Sequence, residues 1–240
     1  MRSLLVRVTV ALLTFVVGTL CSFLASSFVT HRTSTEEVTL TIIEPVVPTC
    51  FPGVSLPLRE IGNKEGSYFP VNAFGGREDS KYSRASWYSK HLKAMGETSY
   101  LNSKGTLFED YRFLWLRSFH HPVSVRIWRV DDETFITLKE LNGAGGYEPG
   151  RLIVNRTRQL NLNDYQTFNQ LLENACFWNL PTSDALMGND GAEWILEGVR
   201  HGRYHVVDRW SPGNGDYREA CLYLLKISGA GIDEESQELY

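Results

Sequence analysis

Ala192-Glu193-Trp194-Ile195-Leu196-Glu197-Gly198-Val199-Arg200-His201-Gly202-Arg203-Tyr204-His205-Val206-Val207-Asp208-Arg209-Trp210 is the stretch on which the fold turns. Two runs rich in β-branched and aromatic residues flank a polar connection, and a two-residue turn on His201-Gly202 sets Val199 opposite Tyr204. In that register one face of the hairpin carries Ala192, Trp194, Leu196 and Val207, with His205 opposite Gly198. Arg209 falls opposite Trp194, placed to stack on the indole. The other face collects Glu193, Glu197 and Asp208 beside Tyr204 and Trp210. Three carboxylates with two aromatics suit an acid pair, a cation site or a sugar platform; they equally suit a solvated face, or charges paired with arginines of the same domain.

Upstream, the alternation of apolar and polar residues over 111–119, 123–127, 134–141 and 151–159 is that of strands with one buried face. Gly143, Gly145, Gly146 and Gly150 separate the last two, so the four strands read as an antiparallel meander. Helical spacing appears in three places: 79–95, closed by Gly96; 162–177, capped by Asn161 with Asp164 three residues on; and 217–227. The expected fold is therefore α+β, an antiparallel sheet with helices packed mainly on one face. A strand-like run over 38–43 stops at Pro45, and residues 45–76 carry Pro and Gly at turn-like intervals. The chain divides into a membrane segment (1–30), an irregular juxtamembrane stretch with one short strand (31–76), the globular domain (77–228) and an acidic tail (229–240).

Residues 8–30 contain no charge over 23 positions, enough for a helix to cross a hydrocarbon core of about 30 Å. Arg2 and Arg7 precede the run and favour a cytoplasmic start, which puts everything after it on the far side of the membrane. Ala25-Ser26-Ser27 offers the alternative of cleavage near Ser27 and secretion. Leu20 before Cys21 excludes a lipoprotein. With 24 Lys and Arg against 28 Asp and Glu there is no basic excess, so nucleic acid is not an expected partner. Beyond the apolar run stand Cys50, Cys176 and Cys221, without metal or redox spacing. Cys176 and Cys221 lie on or beside the apolar stripes of two helices, and the expected bridge joins them; two buried thiols are the alternative. Neither P-loop, GxGxxG, GxSxG nor HExxH occurs, so no cofactor and no metal are expected. His120 and His121 are adjacent, and in a strand they point to opposite faces; either acts as ligand or general base only with distant partners.

Four strings carry a resemblance: Tyr111-Arg112-Phe113-Leu114-Trp115-Leu116-Arg117; Phe119-His120-His121-Pro122; Gly145-Gly146-Tyr147-Glu148-Pro149-Gly150; and Trp194 to Gly198 with Tyr204 to Pro212. Over roughly residues 80–228 they resemble a family of uncharacterised bacterial exported or membrane-anchored proteins. The resemblance implies a single domain and, since the family has no assigned activity, no catalytic residue. The expected function is that of an extracytoplasmic, membrane-tethered domain that binds an envelope partner or ligand without catalysis. The alternative is an envelope hydrolase using Glu193, Glu197, Asp208 and a histidine, His120 or His121, with Tyr204 and Trp210 against the ligand.

Overall fold

His201 and Gly202 both take positive φ, 51° and 71°, and Val199 stands opposite Tyr204 as Arg200 stands opposite Arg203. Left-handed backbone at both central positions matches the twist of the flanking strands, and the hairpin forms in the register that its sequence predicts. The computed structural model describes residues 50, 56–57, 66–71, 73–74, 83–102, 109–184, 186 and 188–231. All of them belong to the unit Pro45–Tyr240. The strand-like run 38–43 and the apolar run 8–30 lie outside the described residues, among which no helix is long and apolar enough to cross a membrane.

The elements are β1 (Leu56–Pro57), α1 (Arg84–Ala94), β2 (Asp110–Arg117), β3 (Val123–Val130), β4 (Glu133–Leu141), β5 (Leu152–Gln159), α2 (Leu162–Asn174), β6 (Ala192–Arg200), β7 (Arg203–Trp210) and α3 (Asp216–Ser228). They form one antiparallel sheet in the order β1-β7-β6-β2-β3-β4-β5, with three helices. The fold is thus α+β. Ser83 caps α1 by accepting from the Ser86 amide, and Asn161 caps α2 by accepting from the Asp164 amide, each satisfying an N–H that the first helical turn leaves open.

The helices do not all share a face. On one side α2 (Tyr165, Phe168, Leu172) and α3 (Ala220, Cys221, Leu224) pack over Tyr111, Phe113, Trp115, Trp194 and Val207. On the other, α1 (Tyr88, Leu92) with Met95 just past its end, joined by Phe69 and Phe74, covers Leu114, Leu116, Ile195, Val199 and Val206. Each large apolar side chain so removed from water contributes about 1.5–3 kcal/mol. Two-sided burial explains why Phe113 to Leu116 and Trp194 to Leu196 are apolar at consecutive positions: a strand covered on both faces has no polar alternate. The core also reaches back to Phe69 and Phe74, before residue 77.

The expected Cys176–Cys221 bridge is corrected. Cys176 is joined to Cys50 across 126 residues, and Cys221 is a free, buried thiol. The physical reason lies in where α2 stops. The helix ends at Asn174, and Cys176 takes left-handed backbone, φ 50°, so it leaves the apolar stripe on which Cys221 sits in α3. The expected arginine–indole stack also changes partners, because α3 intervenes. Arg218 covers the Trp194 ring at 4.9 Å, and Arg209 lies over Tyr217 instead.

Candidate functional site

The face of the sheet beneath α1 carries a polar row that runs across five strands. Register sets Glu197 of β6 beside Arg112 of β2, Arg112 beside Arg126 of β3, Arg126 beside Thr137 of β4, and Thr137 beside Thr157 of β5. Arg112 is fully buried. Its Nε and Nη2 donate to Glu197 Oε1 at 2.9 and 2.5 Å, and its Nη1 donates to Glu97 Oε2 at 3.1 Å and to the Thr98 carbonyl at 2.8 Å. Tyr100 and Tyr68 flank the guanidinium, with ring centroids 4.5 and 5.8 Å away. Tyr204 Oη donates to the other oxygen of Glu197 at 3.0 Å. Arg126 forks onto Asp110, which also accepts from Tyr100. Lys139 Nζ reaches Glu97 at 2.7 Å.

Three carboxylates, Glu97, Glu197 and Asp110, therefore meet three cations, Arg112, Arg126 and Lys139. Burial works against the Arg112 charge, yet Glu197, Tyr100 and Glu97 outweigh it and hold its pKa above the ordinary value. Burial likewise works against the Glu97 charge, but Arg112 and Lys139 outweigh it and lower its pKa. For Glu197 and Asp110 burial prevails, and their pKa values rise. The cluster is a buried, hydrogen-bonded balance of charge, and breaking one member strands the others.

Residue 97 also borders a surface pocket, although its carboxylate is buried. That pocket, of about 560 Å³, is also lined by Gly66, Ser67, Tyr68, Lys93, Thr98, Ser99 and Asn102. Tyr68 Oη donates to the Glu97 carbonyl at 2.8 Å and Ser99 Oγ to the Ser67 carbonyl at 2.8 Å, fixing the 66–68 strap against the segment that follows α1.

A second carboxylate group lies at the far end of the hairpin. Asp208 Oδ2 accepts from Arg84 at 3.0 Å and from Tyr88 Oη at 3.1 Å. Asp208 Oδ1 is buried, and the Glu193 carboxyl interacts with the Asp208 carboxyl. Burial first, and then the Asp208 charge, push Glu193 up to about 8. Two carboxyl groups this close share a proton.

The residues singled out from sequence thus take these places. Glu193, Glu197 and Asp208 do share the face with Tyr204 and Trp210. They split into two groups, however, each tied to an arginine from another element. Tyr204 is buried against Glu197, and Trp210 packs on Gly188, where a Cβ would lie 2.3 Å from its indole nitrogen. Neither ring offers a free platform. His120 and His121 occupy the turn between β2 and β3, where His121 pairs with Glu140 at 2.6 Å. Among the described residues no group of three His, Cys, Asp or Glu side chains is arranged to hold a metal. Sequence reading missed Glu97, Asp110, Arg112 and Arg126. The available signal was Arg112, a charge between Tyr111 and Phe113 at the head of the apolar run Phe113 to Leu116. A search for similar proteins finds no matching family model, no matching relative and no matching solved structure.

Proposed function

We propose that the chain is an extracytoplasmic, membrane-tethered domain, anchored through residues 8–30, that binds a small polyhydroxylated ligand in the pocket above Glu97 and carries out no covalent chemistry there. The observation that carries the reading is the lining of that pocket. Thr98 supplies a hydroxyl, Ser67 and Ser99 supply hydroxyl oxygens whose protons go to the Phe69 and Ser67 carbonyls, Asn102 supplies an amide and Tyr68 a ring, while the charge beneath is already balanced within the protein. Such a lining recognises hydroxyl groups without requiring a charged ligand, and its volume suits a mono- or disaccharide. Lys93 at the wall accommodates one acidic substituent.

The address draws support from the Cys50–Cys176 bridge, since disulfides persist on the oxidising side of a membrane. The hydrolase alternative has less support. Glu197 and Asp208 are each 1% exposed and held by arginines, whereas an acid–base pair needs access to substrate. Saturation-transfer NMR with a panel of neutral, N-acetylated and acidic mono- and disaccharides tests the reading. At least one class should bind the wild type, and Thr98→Trp, which plugs the pocket from an exposed position, should abolish the signal with the melting temperature unchanged. Absence of binding across the panel, or binding that Thr98→Trp leaves intact, overturns it.

A further inference from the structure

The sheet has one long open edge. β5 pairs with β4 alone, and seven of its eight residues are exposed, Ile153 at 50%. An edge strand presents a row of outward N–H and C=O groups, and natural proteins guard such rows against indiscriminate pairing with charged side chains, with Pro, with bulges or by shortening the strand. Here the strand spans eight residues without Pro or Gly, and the irregularity in its pairing is confined to one end, opposite Glu140 and Leu141.

What the edge does carry is positive charge. The chain has a formal net charge of −4, yet β5 and the residue before it hold Arg151, Arg156 and Arg158 and no acid. Arg156 donates to the Gly229 carbonyl, and Arg158 donates to those of Gln159 and Ile227; among the described residues no carboxylate pairs with either. Among the described residues, then, these two guanidinium groups meet only neutral acceptors. Arg156 and Arg158 also stand two apart, on the same face of the strand, in line with Val154.

We infer that the β5 edge is a docking surface for an acidic extended segment of another protein, which adds as a further strand with acidic residues two apart facing Arg156 and Arg158. Strand addition supplies affinity through main-chain hydrogen bonds, and the alternate side chains supply selectivity. Charge decides the occupant. A second copy of this chain would bring four arginines together along one short ladder with no acid between them, which opposes self-pairing. An acidic strand neutralises the same two guanidinium groups in bidentate geometry. The surface is separate from the saccharide pocket, and the inference does not rest on it.

The test uses the full chain in detergent and a fluorescent octapeptide of alternating glutamate and valine. The peptide should bind in a salt-dependent manner, and the Arg156→Glu/Arg158→Glu double variant should lose at least tenfold in affinity. That variant should instead take the lysine-for-glutamate peptide, a gain that misfolding does not produce. N-methylating the peptide at alternate amides should abolish binding in one of the two possible phases, because strand addition uses every second N–H. Binding that ignores the charge reversal, or that survives both N-methylated peptides, overturns the inference. So does a wild type that binds anionic lipid vesicles and no peptide, which makes the edge a membrane contact.

Discussion

Glu193 and His205 pull the stability of the domain in opposite directions with pH, and their burial shows how. Glu193 is raised from 4.5 to about 8, so between those values the folded state holds a proton that the unfolded state has released. Stability from this group is complete below pH 4.5 and is lost as pH rises through 8. His205, packed against Phe177 with Nε2 unpartnered, is lowered from 6.5 to about 4 by burial. There the unfolded state takes up the proton first, so stability is complete above 6.5 and is lost as pH falls toward 4. Between about pH 4.5 and 6.5 the two slopes oppose and cancel, so the melting temperature should be level there and fall on both sides. Glu193→Gln keeps a donor for Asp208 without titrating, and should flatten the alkaline limb, melting above wild type at pH 9 by about 1–3 kcal/mol of stability. His205→Leu should flatten the acid limb. Calorimetry from pH 4 to 9 checks both, and an alkaline limb unchanged in Glu193→Gln would rule out the shared proton. At the same scale, Arg112→Ala removes the common partner of Glu97 and Glu197 and should lower stability by about 3–5 kcal/mol in urea titration. Loss of under about 1 kcal/mol would mean that the two carboxyl groups protonate or hydrate with ease.

Among the elements, those with a clean period were legible and those covered on two faces were not. The hairpin β6–β7 was readable because His201-Gly202 specifies its turn and register fixes every cross-strand pair after that. The cap at Asn161 and the close of α1 at Gly96 were readable from local chemistry, Gly96 taking left-handed φ 65°. The placement of α1 was not, because its apolar spacing says that one face is buried and nothing about which side of a sheet buries it. Nor did the polar row show itself: Arg112, Arg126, Glu97 and Glu197 are far apart in sequence, and only strand register and the fold-back of residue 97 bring them together. The end of α2 misled for a similar reason, since Cys176 continues the helical count while the backbone has already left the helix. Its consequence is measurable. Cys50→Ser and Cys176→Ser should each destabilise by roughly 2–5 kcal/mol, the range for a bridge that closes a long loop. Cys221→Ser is a small change at a packed core position and should leave the bridge intact. Mass spectrometry of a non-reduced digest should return the Cys50 peptide joined to that of Cys176, and a Cys176–Cys221 peptide would contradict the placement of Cys176 beyond the end of α2.

For the molecule as a whole, the hydrophobic pattern at the N-terminus and the cysteine chemistry of the domain make a single joint claim about address. Residues 8–30 are uncharged, and on the proposed topology Arg2 and Arg7 on their N-terminal side stay in the cytoplasm and the domain crosses. The bridge between Cys50 and Cys176 needs an oxidising medium to form and persist, which the far side of the membrane supplies. The two lines are independent, because one depends on charge flanking an apolar run and the other on thiol redox poise. A bacterial host separates them from coincidence. Alkaline phosphatase fused after residue 60 should be active, since that reporter matures only where its own disulfides form, and β-galactosidase at the same point should be inactive. In the same cells the full chain should carry the Cys50–Cys176 bridge, and replacing Val10, Leu13 and Val16 by aspartate should keep it in the cytoplasm with both thiols reduced and the domain correspondingly less stable. Active β-galactosidase with inactive phosphatase would sink the topology. A reduced Cys50–Cys176 pair in an exported chain would instead leave the topology standing and remove the disulfide as support for it.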